Sequence, residues 1–310
     1  MSNVFGLQSQ GAWLYSLWKF SRPHTIIGTT LSALGLYLIA IGLADASFTV
    51  IPLLGAWIAC LCGNVYIVGL NQLEDIAIDK INKPHLPLAS GDFSLLTGKL
   101  IVAITGVLAL IIAMTQGKYL FGMVAVSLAI GTAYSLPPIR LKRFPFWAAI
   151  CIFSVRGAIV NLGLYLHYNS LFQQTINIPN IPVSVWLLTV FVIVFTFAIA
   201  IFKDIPDMEG DAQYNISTLS IKLGKESVFK LSLWVITVCY LGIIFAGLLQ
   251  ITGINSNFLI FSHIIPLVAM WWRSQQVNLE DRISIASFYQ FIWKLFFLEY
   301  LIFPVACLLD

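Results

Sequence analysis
Two acidic clusters dominate the chemistry open to this chain. The first reads Asn71-Gln72-Leu73-Glu74-Asp75-Ile76-Ala77-Ile78-Asp79, the second Lys203-Asp204-Ile205-Pro206-Asp207-Met208-Glu209-Gly210-Asp211. Together they hold seven of the 14 Asp and Glu residues in a sequence that is 10% charged. Carboxylates crowded in this way repel one another unless a cation lies between them, and Mg²⁺ is commonly held by one or two carboxylates plus substrate phosphates. Handling of a diphosphate is the chemistry to expect. On a helix, Asn71, Asp75 and Asp79 stand at i, i+4 and i+8 along a slowly rotating stripe, and Asp204, Asp207 and Asp211 at i, i+3 and i+7 share a face. Pro206 and Gly210 should end or distort the second helix. Either cluster alone could be a solvated acidic loop; two on one membrane face weigh against that reading.

A diphosphate also needs cations on its outer oxygens. Arg22, Lys83, Lys142 and Lys222 flank the clusters, although each taken singly is equally an ordinary surface anchor. Asn82-Lys83-Pro84-His85-Leu86-Pro87 is a stiff lysine-bearing loop just beyond the first cluster, and Tyr134-Ser135-Leu136-Pro137-Pro138 closes an apolar run with two hydroxyls and a rigid stop. Arg156, Asn161, Lys294 and Glu299 fall inside apolar runs, where ionisable residues are functional candidates by default. The alternative for Arg156 and Glu299 is a buried ion pair locking two helices. The histidines, His24, His85, His167 and His263, are scattered and suggest no metal site. Cys60, Cys62, Cys151, Cys239 and Cys307 all lie in apolar runs without zinc-like spacing and read as packing residues.

The elements that must position these residues are membrane helices. The chain is 59% hydrophobic with a mean hydropathy of +0.90, well above the roughly 45–50% apolar content of a soluble domain. Nine candidate spans fall near 24–43, 50–72, 98–115, 119–136, 146–168, 182–202, 229–250, 257–272 and 288–308. Most approach the ~20 residues a helix needs to cross the hydrocarbon core, and their uniform apolarity excludes a barrel's alternation. The expectation is one all-α, polytopic membrane domain over 1–310, with nine transmembrane helices around a central cavity. Fourteen of the 17 Lys and Arg residues fall in alternate loops and at the amino terminus. By the positive-inside rule, the amino terminus and both acidic clusters face the cytoplasm. The first residues are expected to be mature chain, not a cleaved signal, with Trp13, Tyr15, Trp18 and Phe20 as an interfacial aromatic belt. Asp75 and Asp207, four spans apart, predict that spans 2 and 6 present their clusters to a common cavity. An ion-coupled transporter is the reading from another class. Transporters, however, generally place ionisable residues near the bilayer midplane, whereas these acids crowd one interface.

Asn71-x-x-x-Asp75-x-x-x-Asp79 and Asp207-x-x-x-Asp211 resemble the two aspartate motifs of the UbiA superfamily of intramembrane prenyltransferases, and the likeness extends along essentially the whole chain. Asn82 to Gly91, Lys203 to Asp211, and Arg156-Gly157 with Val160-Asn161-Leu162-Gly163 resemble its homogentisate prenyltransferase branch. Position 72 is Gln where many members have Asp. The resemblance implies Mg²⁺ held by Asn71, Asp75, Asp79, Asp207 and Asp211, with Asp204 as a further candidate. It implies Lys83, Arg22, Lys142 and Lys222 on the departing pyrophosphate, Tyr134 on the diphosphate or acceptor, and Arg156 and Asn161 as further substrate contacts. The implied partners are a prenyl diphosphate donor, homogentisate as aromatic acceptor, and the lipid bilayer, with no nucleic acid. The implied reaction transfers a phytyl group to homogentisate with loss of CO₂; a longer polyprenyl donor such as solanesyl is the close rival. A cyanobacterial plasma or thylakoid membrane is the implied location.

Overall fold
The computed structural model describes residues 2–173, 180–206, 208 and 218–310. Asp207 and Asp211 lie outside the described residues. The first elements are α1 (Ser2–Phe20), α2 (Pro23–Ala44), α3 (Val50–Glu74), the short α4 (Ile76–Asn82) and α5 (Pro87–Ser90), α6 (Leu95–Gln116) and α7 (Lys118–Ser135). Then come α8 (Pro145–Phe153), a π-helical turn (Ser154–Ile159), α9 (Val160–Gln173), α10 (Val183–Phe202), the short α11 (Leu219–Leu223), α12 (Lys225–Leu248), α13 (Ser256–Ser274) and α14 (Arg282–Leu308). All of the described regular structure is helical, as a chain dissolved in lipid requires when each helix satisfies its own backbone.

Seven helices among the described residues are long and apolar enough to cross a membrane. The other two expected spans, 119–136 and 257–272, are helical as α7 and α13. Lys118 opens the first of these, and Asn257, His263 and Arg273 dilute the second. The expected short third span is longer than its apolar core suggested, reaching 22 residues.

Contacts between helices close a ring. α2 packs on α3, α3 on α6 and α7, α7 on α8 and α9, and α8 on α10; α10 packs on α12 and α14, α12 on α13, α13 on α14, and α14 returns to α2. Lipid supplies little hydrophobic drive between helices, so small residues that admit close packing carry these seams. On the α3–α6 seam, a Cβ at Gly106 would come 2.5 Å from Tyr66. On the seam between the π turn and α10, one at Gly157 would meet the backbone of Ile193 at 2.9 Å.

A second, smaller core lies beside the ring. Phe20, Leu70, Leu88, Phe93 and Val102 pack together, and the Phe20 ring occupies space that a Cβ at Gly69 would enter at 2.7 Å. This cluster pins the 83–94 loop to α1, aided by a Lys19–Asp92 ion pair of 2.7 Å. Phe20 therefore leaves the expected aromatic belt: it is fully buried, whereas Trp13, Tyr15 and Trp18 are exposed.

Candidate active site
A cavity of about 1860 Å³ is lined by α1, α2, α3, α4, α7, α8, the π turn, α9, α10, α11 and α14. Asn71, Asp75, Asp79, Asp204, Arg22, Lys83, Tyr134, Lys142, Arg156 and Lys222 all reach its wall. Spans 2 and 6 therefore do present acids to one space, Asp204 being the described member from the second cluster. Asn161 does not line it. That side chain is wholly buried, donates to the Gly157 carbonyl at 2.7 Å and accepts from the Tyr300 hydroxyl at 2.7 Å, which makes it a brace behind the wall.

The first cluster is not one continuous helical stripe. α3 ends at Glu74 and Asp75 sits at the junction (φ −115°, ψ 17°) before α4 begins, so Asp75 and Asp79 come from two helical segments. Asp75 is the hub of the described contacts. One of its oxygens accepts from Arg140 at 3.1 Å. The other lies 2.6 Å from Lys142 Nζ and accepts from Asn71 Nδ2 at 3.0 Å. Arg22 donates to Asn71 Oδ1 at 3.1 Å. It reaches there because it adopts a left-handed backbone (φ 53°) and Pro23 starts α2 afresh, separating α1 from α2. Asp79 is buried in the cavity wall. Lys83 closes α4, its amide donating to the Asp79 carbonyl at 2.7 Å.

Gln72 faces the other way. Its amide donates to the Phe20 carbonyl at 2.7 Å and the Val68 carbonyl at 3.3 Å, and it takes no part in the cavity lining. The position at which the sequence lacks an expected carboxylate is thus a joint between α1 and α3, not a vacancy in the site.

Charge on the cavity wall is strongly asymmetric. Among the described lining residues nine are Lys or Arg (Lys19, Arg22, Lys83, Arg140, Lys142, Arg143, Arg156, Lys203, Lys222) and four are acidic (Glu74, Asp75, Asp79, Asp204). Such a surface draws anions and focuses their approach. Burial pulls Lys142 below the ordinary lysine range, with Asp75 opposing the shift. His85 is also held below the imidazole range, first by burial and then by Lys19, Lys83 and Arg22.

Two intramembrane residues take partners that the sequence did not indicate. Glu299 pairs with His263 at 3.1 Å, both fully buried between α14 and α13, so the Arg156–Glu299 pair does not form. Arg156 instead stacks on aromatic rings, its guanidinium carbon 5.0 Å from the Trp293 centroid and 5.8 Å from that of Phe296. Lys294 is exposed on the outside of α14. Arg140 is a site residue that the motifs do not single out; its position two residues after Pro138 is the available signal.

The donor set at the acids is hard oxygen from carboxylates and an amide, which fits Mg²⁺. Among the described residues no three His, Cys, Asp or Glu side chains converge to hold a metal unaided.

Fold and site together define a polytopic all-α membrane protein with a cation-rich, carboxylate-bearing cavity. The sequence matches the UbiA prenyltransferase family over residues 26–295, and the chain belongs to that family. It is 54% identical over 300 residues to the homogentisate phytyltransferase of Synechocystis sp., spanning 95% of this chain and 96% of that one. It is 41% identical over 299 residues to the chloroplastic homogentisate phytyltransferase 1 of Arabidopsis thaliana, spanning 94% and 75%. A UbiA homolog from Archaeoglobus fulgidus, solved bound to GPP and Mg²⁺, superimposes with a TM-score of 0.62 at 17% identity, over 95% of this chain and 100% of that one. At that identity the likeness is one of fold. Membership of a prenyltransferase family removes the transporter alternative.

Proposed function
We propose that the chain transfers the phytyl group of phytyl diphosphate to homogentisate, with loss of the acceptor carboxyl as CO₂, to give a methyl-phytyl-benzoquinol. The observation that carries this reading is the 54% identity to the Synechocystis enzyme over nearly the full length of both chains. The cavity supports it independently, its described lining residues including acids and a larger number of cations.

Asn71, Asp75, Asp79 and Asp204, with Asp207 and Asp211, would hold Mg²⁺, which when bound neutralises charge as the donor C–O bond breaks. Arg22, Lys83, Arg140, Lys142 and Lys222 bind the outer phosphate oxygens as point charges or planar forks. Tyr134, on the cavity wall at the end of α7, orients the diphosphate or the acceptor. Apolar wall residues such as Ile67, Val68, Val124, Leu128 and Phe197 surround the isoprenoid and keep water from the allylic cation. The electron-rich acceptor ring then attacks the allylic carbon as pyrophosphate leaves; the ring gives up its proton, and the acetate side chain loses CO₂ and takes up a proton to become the methyl group. In this reading α7 and α13 also cross the bilayer, giving nine spans, and the basic loops hold the amino terminus and the site on the cytoplasmic side.

The test is product formation by purified protein in liposomes with radiolabelled homogentisate and Mg²⁺, offering phytyl, geranylgeranyl and solanesyl diphosphates separately. A decarboxylated phytyl product, lost on adding EDTA, is expected. Exclusive use of solanesyl diphosphate would move the chain to the longer-donor reaction, and no product with any donor would overturn homogentisate as acceptor.

A further inference from the structure
Arg156 presents a cation to the cavity that the diphosphate chemistry leaves unassigned. It sits in the π-helical turn Ser154–Ile159, a distortion common at functional sites. Among the described residues no carboxylate pairs with it, and the Trp293 and Phe296 rings flank it. Glu299, an acid buried in the bundle interior, is engaged by His263. A guanidinium within a membrane helix is costly unless an anion or polar group answers it.

Its depth is readable from α2. A Cβ on Gly28 would lie 3.2 Å from Arg156 Nη1, and Gly28 stands five residues into α2 from Pro23, about 7.5 Å along the axis. Arg22, immediately before Pro23, contacts Asn71 in the acidic cluster. The guanidinium thus meets α2 more than one helical turn beyond the residue that carries the Arg22 cation. The wall around it is aromatic: the His24 ring is 4.7 Å from that of Trp293, and Tyr289, Phe296 and Tyr300 also line the space.

We infer that Arg156 binds the carboxylate of the aromatic acceptor and so selects an aryl acid over a neutral phenol. The planar fork of arginine matches a carboxylate in bidentate fashion, and the surrounding rings suit a flat aromatic body. This placement sets the acceptor ring between Arg156 and the diphosphate. The inference rests on the acceptor reading above, and Arg156 is a binding residue in it.

The experiment compares wild type with Arg156→Met and Arg156→Lys as detergent-purified full chains. It measures radiolabelled homogentisate binding by equilibrium dialysis without donor, and KM for each substrate in turnover. Expected are at least tenfold weaker homogentisate binding and at least tenfold higher acceptor KM in Arg156→Met, partial recovery in Arg156→Lys, and a phytyl diphosphate KM within twofold of wild type. A raised donor KM with unchanged homogentisate binding would overturn the inference and assign Arg156 to the diphosphate. Homogentisate binding that depends on Arg156 in a protein that does not turn it over would uphold the inference while defeating the proposed activity. A wild type that does not bind homogentisate defeats both. Should both arginine variants fail to fold, Gly28→Ala keeps the guanidinium but crowds it. A several-fold rise in acceptor KM alone is expected there, and no change overturns the inference.

Discussion

Asp75 accepts from Arg140 and Asn71 and is ion-paired with Lys142, so without substrate its charge is answered by cations that the proposed reaction uses for phosphate. Binding of a metal–diphosphate would exchange these partners: the carboxylate turns to metal and the cations to phosphate oxygens. Asp75→Asn keeps the side chain's shape and one acceptor oxygen, so the fold should survive while turnover falls by at least ~10²-fold, the scale of losing one preorganised electrostatic group. Product assays alongside size-exclusion profiles check this, and wild-type turnover would remove Asp75 from the site. Lys142 supplies a pH dependence. Burial lowers its pKa below 10.5, so on raising the pH it loses its charge before a free lysine would, and donor KM should rise on an alkaline limb lying below 10.5. In Lys142→Arg the limb should shift upward, measurable as donor KM against pH. Gln72 tests the opposite intuition. Restoring the acid of the fuller motif with Gln72→Asp should not raise activity, because the side chain faces the Phe20 carbonyl. Burying a carboxylate there without a donor should cost about 3–5 kcal/mol, seen as a lower melting temperature in detergent.

At the scale of elements, the spans and their order were legible because uninterrupted apolar runs leave few alternatives to helices in lipid. The clusters were legible because carboxylates are so rare elsewhere in the chain. Three features were not. No Gly or Pro marks the break at Asp75, so the helix junction there carries no local signal. The π turn around Arg156 likewise lacks a breaker ahead of it. The Glu299–His263 pair depends on how α13 and α14 are rotated against each other, and rotation is set by packing across the whole seam. Glu299 and Arg156 were both visible as isolated charges, but charge alone does not choose between partners on different helices. The seam at Gly157 can be tested directly. Gly157→Ala would drive a methyl toward the Ile193 backbone, 2.9 Å away, and should cost about 1–3 kcal/mol by overpacking. Because Arg156 is its immediate neighbour, activity should fall with the melting temperature; unchanged values of both would show that the seam yields.

Seen whole, the molecule is a ring of helices with a charged rim and an apolar interior, a division already implied by where the sequence keeps its few charges. What the sequence did not disclose is that α6, α12 and α13 contribute nothing to the cavity wall, since lipid-facing and cavity-facing apolar residues are chemically alike. The excess of nine cations over four acids on the described wall bears on the end of the catalytic cycle as well as its start. A surface that captures a diphosphate ester also retains the inorganic pyrophosphate released from it, which carries more charge and has no tail to position. Added pyrophosphate should therefore inhibit competitively against the donor, and Lys142→Gln should weaken that inhibition along with donor binding. Initial rates across donor and pyrophosphate concentrations measure both effects. Forward flux through such a site then depends on how quickly its surroundings remove the inorganic product, so turnover in a closed vesicle should slow early and recover on adding a pyrophosphatase to the side that bears the basic loops.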